Sequence, residues 1–151
     1  MKNYNNIPEI RDYIATLQYK SENTVRVYLT AIQKFCEFLK IGTFEDVKNV
    51  TVRDATRYQL ALQGKMKATS VNTNVRPLNA MYNWFVNQEY LDKNPFSRVK
   101  AVDEPEHVQA FLSYDEMHKL IDVGKSVEEK LIFLMLLTMG LRRSELTAIK
   151  M

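Results

Sequence analysis

Val25-Arg26-Val27-Tyr28-Leu29-Thr30-Ala31-Ile32-Gln33-Lys34-Phe35-Cys36-Glu37-Phe38-Leu39 places apolar side chains at Val25, Tyr28, Leu29, Ile32, Phe35, Cys36 and Leu39. Steps of three and four put them on one stripe of a helix, whereas a half-buried strand would alternate. The stretch predicts an amphipathic helix over residues 23–40, stopped by Gly42, with Cys36 in its core face. Upstream, Ile7-Pro8-Glu9 opens a shorter helix through Ile10, Tyr13, Ile14 and Leu17. Proline is tolerated there because the first helical turn has no use for its missing N–H.

Downstream, Thr43 with Asp46, Thr51 with Asp54, Ser113 with Glu116 and Ser126 with Glu129 each set a hydroxyl three residues before an acid. That pattern lets each side chain hold the other's backbone N–H at a helix start. It predicts helices near 44–49, 52–62, 114–123 and 127–138, with Gly64 and Gly124 as C-terminal stops. A further helix over Ser70 to Tyr90 has Val71, Val75, Leu78, Met81, Tyr82 and Phe85 on one side. Pro77 inside it lacks a donor and crowds the carbonyl four residues back, so a kink or a fresh start is expected there.

Residues 92–112 show mixed charge, Pro95 and Pro105, and no period, which reads as a connection between domains. The expected fold is therefore all-α: a helical domain over residues 1–100, a linker over 101–112, and the first helices of a second domain over 113–151. A chain of 151 residues that is 46% hydrophobic can bury a core of this kind. No apolar run approaches the roughly 20 residues of a membrane span, and the first residues lack the apolar stretch of a secretory signal. A cytoplasmic protein with no membrane partner is expected. Cys36 is the single cysteine, so no internal disulfide can form. His107 and His118 lack the companion ligands of a zinc site, so no metal or other cofactor is expected.

The net charge of +3 is divided unevenly: residues 1–100 carry 15 Lys and Arg against 9 Asp and Glu, and residues 101–151 carry 6 against 9. An anionic partner would meet the first part. Opposite the apolar stripe of the Ser70 helix stand Asn72, Arg76, Asn79 and Asn83, on one face by their spacing. Asn is a poor helix former that offers donors and acceptors together, so the stripe suits base edges and phosphates in a major groove. A merely solvated polar face has the same spacing. Asn23, Arg26, Thr30 and Gln33 form a similar side on the earlier helix, with Lys20 before it and Lys65 and Lys67 before the Asn-rich one. Lysines at helix starts oppose the helix dipole and make sense where phosphates lie. These features nominate Lys20, Arg26, Lys65, Lys67, Asn72, Thr73, Arg76 and Asn79 as DNA-binding residues.

Thr138-Met139-Gly140-Leu141-Arg142-Arg143-Ser144-Glu145-Leu146 follows a long apolar run, and it resembles the first arginine motif of the tyrosine recombinases, the phage integrase family. Upstream, Ser21-Glu22-Asn23-Thr24-Val25-Arg26-Val27-Tyr28, Thr51-Val52-Arg53-Asp54, Ser70-Val71-Asn72-Thr73-Asn74-Val75-Arg76, Asn94-Pro95 and Phe111-Leu112-Ser113-Tyr114-Asp115-Glu116 resemble that family's core-binding domain and the opening of its catalytic domain, in matching order. The resemblance implies a SAM-like core-binding bundle followed by a truncated catalytic domain. It implies a role for Arg142 on the scissile phosphate and for Glu145 in supporting it. The partners it implies are double-stranded DNA and further recombinase protomers on that DNA. A complete member forms a 3′-phosphotyrosyl link without metal or ATP. The family's hairpin lysine, His-x-x-Arg motif and tyrosine nucleophile have no counterpart in these 151 residues, so the chain is expected not to be an enzyme on its own. With Glu145 three residues on, Arg142 also fits an ordinary helical ion pair. The competing function is a helical module that binds another protein and no DNA.

Overall fold

The computed structural model describes residues 3–104 and 111–149, all helix, turn or irregular chain with no strand among them. It divides into two compact units, Met1–Pro105 and Glu106–Met151. Residues 105–110 of the expected linker, His107 with them, lie outside the described residues.

In the first unit α1 (Pro8–Ala15) runs into a 3-10 turn, Thr16–Tyr19, and α2 (Glu22–Leu39) follows behind the Ser21 cap, whose hydroxyl accepts the Thr24 N–H. Then come α3 (Phe44–Lys48), α4 (Val52–Gln63) and α5 (Ala68–Asn87). Thr43 with Asp46 and Thr51 with Asp54 form the reciprocal caps that their spacing predicts. The α2 helix stops earlier than Gly42 would have it. Lys40 takes the left-handed conformation, φ 57°, and Ile41 donates its N–H to the Cys36 carbonyl at 2.9 Å. A left-handed lysine costs about 1 kcal/mol, which the burial of Ile41 beside the helix end offsets. Gly64 closes α4 at φ −68°, an ordinary helical angle, so its conformational freedom is not what ends that helix.

The two long helices α2 and α5 lie against each other, and the remaining elements close around them. Phe35 sits at the centre, its ring 5.1 Å from Tyr58 of α4, 6.3 Å from Tyr82 of α5 and 5.4 Å from Phe96, centroid to centroid. Rings at these separations and steep angles add edge-to-face attraction to the area they bury. The Tyr82 hydroxyl donates to the Val47 carbonyl at 3.2 Å and so ties α5 to α3. Cys36 is buried as its stripe predicted, and burial pushes its thiol up to about 12. The helix runs without a break through Pro77. Val75, Leu78 and Met81, buried on either side of the proline, hold the two turns together where one hydrogen bond is missing.

Residues 92–104 are not a free connection. They fold back on the unit: Phe96 is buried in the core, the Gln59 amide donates to the Lys100 carbonyl at 2.7 Å, and Asn72 and Asn94 hold the rest. An aperiodic sequence shows the absence of regular structure, not the absence of packing.

The second unit contains α6 (Tyr114–Asp122), α7 (Val127–Thr138) and α8 (Arg143–Ala148). Ser113 with Glu116 makes a reciprocal cap; Ser126 accepts the Glu129 N–H, but the Glu129 carboxylate turns to the Lys125 N–H instead. None of these helices contains a fully buried residue, and on α7 Leu131, Ile132 and Leu134 are all exposed. A helix that is apolar on every side ordinarily packs inside a larger body.

Candidate nucleic-acid interface

One side of the α2–α5 pair opens into a shallow groove lined by Asn23, Arg26, Val27, Thr30 and Lys34 of α2 and by Thr73 and Asn74 of α5. Lys34 Nζ reaches Asn74 Oδ1 at 3.4 Å across it, and Arg26 Nη2 donates to Asn23 Oδ1 at 2.9 Å. The Asn74 amide nitrogen donates to the Ser70 carbonyl at 2.7 Å and lies 3.7 Å from Met66 Sδ, which brings the Lys65–Lys67 turn to the edge of the groove. Beyond Arg26 a second hollow continues the surface to Lys20, with Gln18, Glu22, Val25, Leu29 and Thr30 around it.

The ion pairs among the described residues are Lys48–Glu45, Arg57–Asp54 and Arg142–Glu145, so Lys20, Arg26, Lys34, Lys65, Lys67 and Arg76 take part in none of them. All six are exposed. Glu22 borders the hollow beside Lys20 and Arg26 without pairing with either, and an excess of exposed cations along a groove raises the local concentration of an anion.

Of the residues expected to bind DNA, Arg26 and Thr73 share the groove, Lys20 adjoins it through Arg26, and Lys65 and Lys67 flank its end. Arg76 is exposed on α5, outside the lining. Asn72 is a correction. It is 3% exposed, with its amide nitrogen on the Val102 carbonyl at 2.9 Å and on Glu104 Oε1 at 2.8 Å, and its oxygen accepting the Val102 N–H at 2.9 Å. Nothing in it is left for a base. Asn79 is also engaged within the fold: Asn94 Nδ2 donates to Asn79 Oδ1 and to Asn83 Oδ1, each at 2.7 Å. Asn72 and the side-chain oxygens of Asn79 and Asn83 thus hold the chain that follows α5, while Arg76 and Asn83 of the same stripe stay exposed.

Lys34 and Asn74 were missed as site residues. Lys34 stands four residues beyond Thr30 and eight beyond Arg26, so the polar side of α2 runs on by one more turn; Gln33 is spent on Glu37 instead, at 2.8 Å. Asn74 had no signal of its own, because only the packing of α2 shows which side of α5 is the groove.

In the second unit Glu145 takes the Arg142 backbone N–H at 2.8 Å and its guanidinium at 3.1 Å. Gly140, at φ +62°, turns the chain between α7 and this residue, a conformation that favours glycine. The Arg142 side chain is 82% exposed, so the fork holds one carboxylate oxygen and keeps further donors for an anion. The ion pair read from the spacing is present, and it leaves that capacity intact.

Comparison with known proteins agrees with this architecture. Residues 7–92 match the phage integrase N-terminal SAM-like domain. The tyrosine recombinase XerA of Pyrococcus horikoshii is 30% identical over 135 residues, covering 89% of this chain and 43% of the relative. The tyrosine recombinase XerC of Oceanobacillus iheyensis is 25% identical, with 75% and 37% covered, and a tyrosine recombinase of Thermosipho africanus is 26% identical, with 89% and 50% covered. The chain spans half or less of the length of these relatives.

Proposed function

Because the chain belongs to the tyrosine recombinase family of phage integrases, we propose that it is the DNA-holding part of a site-specific recombinase, serving DNA recombination and integration. Its first unit grips duplex DNA along the α2–α5 groove, and its second unit brings Arg142 to a backbone phosphate. The observation that carries this reading is the groove itself, where Arg26 and Lys34 stand among Thr30, Thr73 and Asn74 with no acid paired to either cation. Hydroxyl and amide groups between cations suit phosphate oxygens.

Arg142, with Glu145 fixing its backbone and one side of its guanidinium, supplies charge stabilisation to a phosphate and no more. The bond-making tyrosine of the family is not assigned to any residue here, so binding without cleavage is the activity proposed for this chain alone.

The test is binding to duplex DNA by fluorescence anisotropy across a salt series. Each neutralised phosphate contributes a slope of about −0.9 in log affinity against log salt, so about four contacts lose roughly two orders of magnitude over a fourfold rise in salt. Affinity that does not change with salt sinks the reading and favours a protein partner.

A further inference from the structure

We propose that Asn72 is a positioning residue: it clamps the chain leaving the first unit onto α5 and thereby fixes the point from which the second unit departs. The clamp stands on its own geometry; its use on DNA rests on the reading above.

Helix α5 ends at Asn87, yet the chain stays on the unit for many residues more. Asn94 holds it first, Gln59 holds Lys100, and Asn72 makes the last contact among the described residues, taking both the N–H and the carbonyl of Val102 and one oxygen of Glu104. A carboxamide has one acceptor oxygen and two N–H donors, and Asn72 uses both kinds on the passing chain. For Val102 it replaces the neighbouring strand that an irregular segment lacks. A leucine or methionine would fill the same buried volume with no desolvation cost. The amide is therefore favourable at this position only while Val102 is docked against it.

The same turn of α5 carries Thr73 and Asn74 on the groove. One helical turn thus faces the candidate DNA surface with one side and the departing chain with another. With the clamp closed the last held residue among those described is Glu104; with it released that residue is Lys100, which Gln59 still holds, so four residues are added to the chain that leads to Ser113. Linked binding modules lose joint affinity as the connection lengthens, by about threefold for a doubling.

Trypsin reads the clamp at the Lys100–Ala101 bond, which lies between the Gln59 contact and the Asn72 contact. Asn72→Ala should speed cleavage after Lys100 by about tenfold, the effect of losing even one such hydrogen bond at the upper end of its usual worth. Val102→Pro removes the N–H from the other side, leaves α5 untouched, and should do the same. A wild-type rate in either variant overturns the proposal. So does cleavage rising equally after Lys65 and Lys67, which would make Asn72 a general core residue. On DNA, Asn72→Ala should bind a duplex long enough for both units about twofold more weakly than wild type and a duplex reaching only the first unit equally well. Equal losses on both duplexes overturn the positioning role. If wild type binds neither duplex, the DNA-holding reading fails and takes the positioning role with it, while the trypsin rates still decide whether the clamp exists.

Discussion

Lys34 Nζ on α2 and Asn74 Oδ1 on α5 meet at 3.4 Å across the groove between the two longest helices. The Asn74 nitrogen donates to the Ser70 carbonyl, and its oxygen, the acceptor of the amide, receives Lys34. A phosphate entering the groove exchanges that neutral acceptor for a charged one and adds the attraction of opposite charges to the bond.

Lys34→Ala and Arg26→Ala should each weaken binding to every duplex alike and reduce the magnitude of the salt slope by about 1, while Lys34→Arg keeps most of the slope. Anisotropy titrations at several salt concentrations decide it. Unchanged slopes in both alanine variants would place the phosphates elsewhere.

Asn94 is the hub of the docked segment: it donates to Asn79 and Asn83 and accepts the buried Phe96 N–H at 2.7 Å. Asn94→Ala strands that N–H, which costs about 1–3 kcal/mol for a buried unpartnered group. Urea denaturation should show a loss of this size. Asn79→Ala should lower stability by less, since Asn94 keeps the Asn83 oxygen as an acceptor.

The Thr51 hydroxyl, then the Thr51 N–H, hold the Asp54 carboxyl below the usual aspartate range, with Arg57 and Arg53 adding to the effect against a small opposing effect of burial. A folded-state pKa below the unfolded value contributes stability that is complete above about pH 4 and disappears as pH falls through the lowered value. Asp54→Asn should therefore melt below wild type at neutral pH, and the difference should shrink in acid. Thr51→Ala should cost about 1 kcal/mol as a lost cap. Circular dichroism melts at pH 7 and pH 3 read both; a gap for Asp54→Asn that is the same at the two pH values would show that its charge is not the source.

This chain alone should form no covalent link to DNA. Tyr13, Tyr58 and Tyr82 are buried, and burial pushes each hydroxyl above the ordinary tyrosine range, the reverse of what an activated nucleophile needs. Incubation with a nicked suicide duplex followed by a denaturing gel should give no protein-linked band. A band that disappears on changing a single tyrosine to Phe would locate a nucleophile within these residues.

The helix starts were legible in the sequence because a cap is a local device: Thr43, Thr51 and Ser113 each find their partner three residues away, within one turn. The core face of α2 was legible for the same reason, since steps of three and four fix the angle between neighbours on one helix. Such steps fix only relative angles, not what stands opposite. Asn72, Asn79 and Asn83 do share the side that their spacing gave them, but Asn94 and Val102, far along the chain, are what their side chains meet there. The groove was hidden likewise, since Lys34 and Asn74 belong to different helices and meet only when α2 packs on α5. Polar residues read alike in sequence whether their partner is water, DNA or another part of the chain, and only the tertiary packing decided which of these helix faces remained open to solvent.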